Sequence, residues 1–306
     1  MSAFKPATRE ASFARIALTG PSGSGKTYTA LTLASAMSER FAVIDTERGS
    51  ASKYVGLNGW QFDTVQPNSY SPLSLVETLG AAAGEGYGCV LIDSLSHYWM
   101  GTDGMLEQVD KRSGANKFTS GWKAVGPEEK KMIDAILAYP GHVIATLRVK
   151  TEYVLEENDK GKKEPKKVGL KPIQREGIEH EFDVVGDMDY DHGLTVSKSR
   201  IHTLANAHIP VPGAELGKEI AEWMSDGATV PTVAEYRAKA FTLTGMDEFK
   251  ALFEEVSSHR MASAPTVDEF GHPTVLGDLI RAVAQKVKSQ PAAEPVQATL
   301  DTETGA

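Results

Sequence analysis

The chain has 306 residues, of which 41% are hydrophobic, with one cysteine and a net charge of −9 at pH 7. This is enough apolar material for a full α/β core and an appendage, which excludes a disordered chain. The lone cysteine, Cys89, excludes an internal disulfide framework and a cysteine-rich metal site. Apolar runs such as Cys89 to Ile92 fall far short of a membrane span, and Met1 to Glu10 lacks the apolar stretch of a secretory signal, so a cytoplasmic protein without a membrane partner is expected. The acidic balance argues against coating nucleic acid by bulk attraction. Any such contact needs a local basic segment, and residues 150 to 175 supply one, with eight Lys/Arg against five Asp/Glu.

In chain order, the first predicted element is a β-prone run from Arg15 that feeds into a glycine-rich bend and then a helix from about Lys26 to Arg40. Gly20, Gly23 and Gly25 leave room for a tight turn whose amide N–H groups, with the positive end of the helix dipole, surround phosphates. Lys26 adds a mobile positive charge and the Thr27 hydroxyl can ligate Mg²⁺. Pro21, Ser22 and Ser24 complete the bend, and Tyr28 extends the predicted nucleotide-binding stretch.

Phe41 to Ile44 reads as a strand buried on both faces. It ends in Asp45-Thr-Glu47, on the edge of the sheet where the glycine bend also opens, so Glu47 is placed to face a nucleotide. A further strand is expected over Trp60 to Val65. Ser71-Pro72 then starts a helix through Leu75, Val76, Leu79 and Ala83 that fades at Gly84 to Gly86. Cys89 to Asp93 is a buried strand ending in a carboxylate, the form that holds Mg²⁺ through water or the Thr27 hydroxyl.

From Tyr98 to Lys123, glycines alternate with basic and aromatic residues, among them Lys117, Phe118, Trp122 and Lys123. A long, partly mobile segment is expected there, able to hold phosphates on lysines and bases on aromatics. Pro127 starts a helix that stops at Pro140-Gly141. His142 to Arg148 forms the next strand and delivers Thr146 and Arg148 to the edge that carries Asp93. A basic hairpin follows, with extended arms over Thr151 to Glu157 and Lys166 to Lys171 around the Asn158 to Gly161 turn. Its lysines, Lys160, Lys162, Lys163, Lys166, Lys167 and Lys171, point to a nucleic-acid contact. Phe182 to Val185 and Leu194 to Ser197 pair as strands, the second ending in Lys198-Ser-Arg200, and a helix from about Ala214 to Met224 closes the core. Beyond Gly227 come three amphipathic helices, Val233 to Leu243, Asp247 to Ser258 and Val275 to Lys288, then a tail from Gln290 that has almost nothing to bury and is expected to be disordered.

The order of these parts resembles the RecA-like recombinase ATPases, and within them the short phage ATPases of the single-strand annealing type. The resemblance covers roughly residues 12 to 225. It implies an α/β fold with a mainly parallel twisted sheet flanked by helices over residues 1 to 227; the helical extension over 228 to 289 and the acidic tail over 290 to 306 are read from the residues themselves. It implies ATP and Mg²⁺ as cofactors, Glu47 as the residue activating the attacking water, Tyr54 as the ring stacking on adenine, and Asp93 as the Mg²⁺ acid. Lys198 and Arg200 match the basic pair that reaches across a subunit interface to a neighbour's phosphates, which implies a ring or filament of identical subunits. The γ-phosphate sensor, a glutamine in the recombinases, is Thr146 here or has passed to Arg148. A helical C-terminus of this kind does not belong to the resemblance.

The function expected is that of a Mg²⁺-dependent ATPase on single-stranded DNA in phage-type recombination, annealing or replication, working in the host cytoplasm, with a single-strand-binding protein as a further partner. The rival from another class is a nucleotide-gated ATPase that holds a protein partner through residues 228 to 290 and has no nucleic-acid role. A small-molecule kinase would want an arginine-bearing lid, whereas the mobile basic stretch here is lysine-rich. A GTPase lacks its guanine signature, because Asn116-Lys117 is followed by Phe118-Thr119.

Overall fold

A computed structural model describes residues 6–113, 117–157 and 163–289. In chain order the elements are β1 (Arg15–Gly20), α1 (Lys26–Met37), β2 (Phe41–Asp45), β3 (Asp63–Val65), α2 (Pro72–Glu85), β4 (Cys89–Asp93), α3 (His97–Met100), α4 (Met105–Arg112) and α5 (Lys117–Leu137). Then come β5 (His142–Glu157), β6 (Lys163–Pro172), β7 (Val184–Met188), β8 (Leu194–Ser199), β9 (His208–Ile209) and α6 (Ala214–Ser225). The extension holds α7 (Val233–Ala240), α8 (Met246–Ser258), β10 (Pro265–Val267), β11 (Pro273–Val275) and α9 (Leu276–Ser289).

The main sheet has nine strands in the order β3-β2-β4-β5-β1-β7-β8-β9, with β6 paired to the distal part of β5. From β3 to β7 every pairing is parallel, while β8 and β9 are antiparallel. Because strand side chains alternate between faces, each central strand feeds two cores. Ile16, Leu18, Cys89 and Leu91 pack with α1 and α6 on one face, and Ala17, Val90, Ile92 and Ala145 pack with α2 and α5 on the other. Cys89 is fully buried, and that burial raises its thiol pKa to about 12, so it is a packing residue.

The structure corrects the expected layout between Tyr98 and Pro140. That segment is helical: α3 and α4 precede α5, which begins at Lys117 and carries Pro127 inside it. A spacing of three and four residues explains this, because Gly121, Val125, Glu129, Met132, Ile133 and Ile136 are all buried. The expected start at Pro127 is therefore about three turns late. A β-carbon at Gly121 would lie 2.4 Å from the Val109 carbonyl oxygen, so this glycine lets α4 approach α5. The strand expected from Trp60 is confined to Asp63–Val65, since Trp60 turns into the core and a short turn occupies Leu57–Gly59.

The extension has its own apolar core, including Tyr236, Phe249, Leu252 and Ile280. Its small hairpin, β10 paired with β11, was not foreseen in the sequence, and it rests on α2. The expected disordered tail lies outside the described residues. Among the described residues no helix is long and apolar enough to cross a membrane.

Candidate functional site

The carboxyl ends of the parallel strands meet at one edge. β1 ends in the glycine bend, β2 in Asp45 and β4 in Asp93, with Asp45 and Asp93 in register. β5 runs between β1 and β4, so Thr146 lies between the bend and Asp93, and Arg148 is in register with Gly20. The bend cannot carry side chains at its tight points. A β-carbon at Gly20 would lie 2.6 Å from the Met188 carbonyl oxygen, and Gly25 stands at φ 86°, in the left-handed region. Ser24 is buried and its hydroxyl donates to the Pro21 carbonyl at 2.9 Å. α1 then opens with no side-chain cap and no acid in its first turn, leaving its positive end available to an anion.

Lys26 Nζ donates to the carbonyls of Gly20 at 2.9 Å and Pro21 at 2.7 Å, and burial lowers its pKa, countered by Asp93 and Glu47. The Thr27 hydroxyl donates to one Asp93 oxygen at 2.7 Å, and Thr146 donates to the other. Burial raises the Asp93 pKa, with those two hydroxyls acting in the opposite direction. A hydroxyl and a buried carboxylate side by side are the hard oxygen donors that Mg²⁺ takes together with substrate phosphates, so Thr27 and Asp93 fit such an ion. Thr146 is fully buried against Asp93, so it supports that carboxylate and does not face the cavity as a phosphate sensor would.

Glu47 is held at its backbone. Its N–H donates to Asp45 Oδ1 at 2.7 Å, and the other Asp45 oxygen accepts the Ala51 N–H at 3.1 Å, which fixes the loop after β2. The Glu47 carboxylate accepts from Arg148 Nε at 3.0 Å and Nη2 at 2.9 Å. Between the acids, Thr46 fastens the two loops together. Its hydroxyl accepts the Ser94 N–H at 2.6 Å and lies 2.6 Å from His97 Nδ1, while its N–H donates to the Asp93 carbonyl at 2.8 Å. His97 stacks on Tyr70, whose hydroxyl donates to the Thr46 carbonyl at 3.2 Å. Burial lowers the His97 pKa, and Arg148 adds to that effect. Sequence reading missed this clamp, because Thr46, Tyr70 and His97 follow no spacing rule.

These groups open into a cavity of about 950 Å³ that extends from Lys26, Glu47 and Arg148 past Tyr54 to Pro210–Pro212. Tyr28 and Tyr54 meet edge to face at 6.3 Å, and Tyr28 also packs on Trp60. The Pro210-Val-Pro212 segment, His192 and Asp191 were not among the residues read as functional; the bend of β7 into β8 brings the latter two to the cavity wall, with His192 beside Gly25.

Lys198 and Arg200 do not join this group. β8 runs antiparallel to β7, so its end lies beside Val184 and Val185, at the opposite edge of the sheet. There Lys198 donates to the carbonyls of Glu179, His180 and Phe182, and Arg200 pairs with Asp183 at 2.8 Å. Both cations thus make intrachain contacts, away from this chain's own cavity. Of the expected nucleic-acid lysines, Lys123 is exposed on α5, and Lys117 begins that helix. Lys163, Lys166 and Lys167 lie on β6, in register with Glu157, Val154 and Tyr153. Lys160 and Lys162 lie outside the described residues. The two arms form one antiparallel ribbon, longer than expected, because β5 continues without a break from the sheet into it.

In comparison with known families, residues 12–208 match the family described as AAA domain. No curated protein matches the chain.

Proposed function

Because the chain belongs to the AAA domain family, a family of P-loop ATPases, we propose that it is a Mg²⁺-dependent ATP hydrolase that acts on single-stranded DNA. The observation that carries this reading is the convergence of Lys26, Thr27, Asp93 and Glu47 on one cavity at the carboxyl edge of the sheet.

Lys26 gives up the Gly20 and Pro21 carbonyls for the β- and γ-phosphates, where its charge is worth more in a site that excludes water. The amides of the bend and the open end of α1 hold the same oxygens. Thr27 and Asp93 would hold Mg²⁺, which would supply charge neutralisation on the phosphates. Glu47 accepts the proton of the water that attacks the γ-phosphorus, and the released pair of electrons leaves with the β-phosphate oxygen of ADP. Tyr54 and Tyr28 supply the aromatic wall for the base. The β5–β6 ribbon, with its lysines, is the part proposed to hold the DNA backbone. In this reading the chain resembles the phage annealing ATPases, and identical subunits assemble along the strand.

ATP turnover of wild type and Glu47→Gln, with and without a single-stranded oligonucleotide, tests the proposal. Loss of the base should lower kcat about 100-fold or more while nucleotide still binds, and the oligonucleotide should raise the wild-type rate. A Lys26-dependent rate that ignores DNA would leave the ATPase and remove its nucleic-acid role, in favour of a nucleotide-gated protein contact.

A further inference from the structure

The glycine bend has neighbours on both sides of β1. Glu47, Asp93 and Arg148 come from β2, β4 and β5, which lie to one side of it in the sheet. β7 lies to the other side, and the turn that joins it to β8 carries His192 into the same cavity. The His192 Nδ1 stands 3.1 Å from the point where a β-carbon on Gly25 would lie, so its imidazole rests against the last glycine before α1. Met188, the last residue of β7, is pressed on Gly20 in the same way, which fixes the root of the turn to the bend.

The backbone at His192 is strained. Its φ is 67°, in the left-handed region that a residue other than glycine rarely enters. Asp189 builds the turn: its Oδ1 accepts the N–H groups of Asp191 and Gly193, both at 2.9 Å, and its own N–H donates to the Gly193 carbonyl at 3.1 Å. None of these bonds uses the imidazole, and glycine at position 192 would close the same turn with less strain. The reason for a histidine therefore lies in what its ring reaches. That residue is exposed, and among the described residues neither ring nitrogen has a hydrogen-bond partner. An imidazole N–H beside the positive end of a helix is a donor for an anion. We propose that His192 is a nucleotide-binding residue that donates to the phosphates retained in ADP, from the side of the bend opposite to Glu47. The inference rests on the reading of the cavity as the ATP site. Glu47 and Asp93 define where the γ-phosphorus reacts, so a contact across β1 from them is made alike with substrate, transition state and product. Such a contact sets affinity and leaves the chemical step unchanged.

The test measures the affinity of wild type, His192→Gly and His192→Asn for fluorescent ADP and for a fluorescent non-hydrolysable ATP analogue, together with steady-state ATP hydrolysis. Both replacements accept a left-handed backbone, so the turn is kept. His192→Gly is expected to bind both nucleotides about tenfold more weakly, the size of one hydrogen bond to a charged group. KM for ATP should rise by a similar factor while kcat stays within about twofold of wild type. His192→Asn, which keeps a shorter donor, should fall between the two. Unchanged affinity of His192→Gly for both nucleotides overturns the proposal. So does a loss confined to the ATP analogue, or a kcat that falls in step with kcat/KM, since either places the ring at the transferred group. Weaker binding with faster hydrogen exchange over residues 186–196 in both variants assigns the effect to the turn and overturns it as well. Failure of the ATP-site reading shows separately, as a wild type that binds neither nucleotide more tightly than Lys26→Ala does.

Discussion

His142 stands at the amino end of β5, where its Nδ1 accepts the Ala14 N–H at 3.0 Å. Burial, with the nearby Arg15 charge, lowers its pKa from 6.5 to about 4. The folded chain thus keeps His142 neutral while the unfolded chain protonates it below about pH 6.5, so the stability present above that pH is lost as pH falls towards 4. The loss should reach about 3 kcal/mol. Denaturant titrations at pH 7 and pH 4.5 should show a smaller drop for His142→Gln than for wild type, and equal drops would assign the acid sensitivity elsewhere. Asp93 works in the other direction. Burial raises its pKa, so the folded state prefers the proton, and the carboxylate costs stability increasingly as pH rises from the unfolded value near 3.8 through the raised one. Asp93→Asn is therefore expected to melt higher than wild type at pH 7, with the gap closing towards pH 4, and to lose ATP hydrolysis. At this scale the sequence was legible wherever a residue stood next to a strand end in a parallel sheet: Lys26, Thr27, Glu47 and Asp93 meet as their spacing implied. Lys198 and Arg200 stand apart from that group, because strand direction decides which edge a residue reaches, and β8 turns back against β7.

Elements depend on what packs against them, and α2 shows this most directly. Gly80 and Gly84 lie one turn apart on the same face, and β-carbons there would meet Pro273 at 2.8 Å and Val267 at 2.5 Å. Two glycines within a helix weaken it by about 1 kcal/mol each relative to alanine. Gly84 reads as fading of the helix, yet with Gly80 it is the seat of the β10–β11 hairpin. Gly80→Ala gains helix propensity but presses on the backbone and ring of Pro273, an overpacking cost of about 1–3 kcal/mol. Hydrogen exchange should therefore quicken over residues 265–275. The DNA-free ATPase rate should hold, because no described residue beyond Pro212 lines the nucleotide cavity. Unchanged exchange there would mean that the hairpin yields at no cost. The hairpin itself was hidden because three-residue strands carry too little alternation to be read, and α4 with the first half of α5 was hidden because glycines outweighed a sparse apolar stripe. By contrast, the buried strands β2 and β4, each a continuous apolar run closed by an acid, were legible almost to the residue.

For the molecule as a whole, charge is the constraint that acts at long range. A chain of net charge −9 repels a polyanion at a distance, so productive contact must be made by a basic region close enough to the strand to outweigh that field within a Debye length of about 8–10 Å. The β5–β6 ribbon is the part proposed to do so, because it leaves the sheet: β5 has 16 residues, and only its first part, up to Arg148, pairs within the parallel core. Five lysines, Lys160, Lys162, Lys163, Lys166 and Lys167, fall within eight positions of the sequence, the last three of them on β6. If each neutralises one phosphate, the logarithm of the affinity for single-stranded DNA should fall with the logarithm of salt concentration at a slope of about −3.5. Replacing Lys166 and Lys167 by alanine should reduce that slope by about 1.4 whatever the oligonucleotide sequence, since phosphate contacts carry no base information. Fluorescence anisotropy over a salt series, in the presence of a non-hydrolysable ATP analogue, measures both slopes. A wild-type slope near zero, or one that the double replacement leaves unaltered, would remove the ribbon from DNA binding.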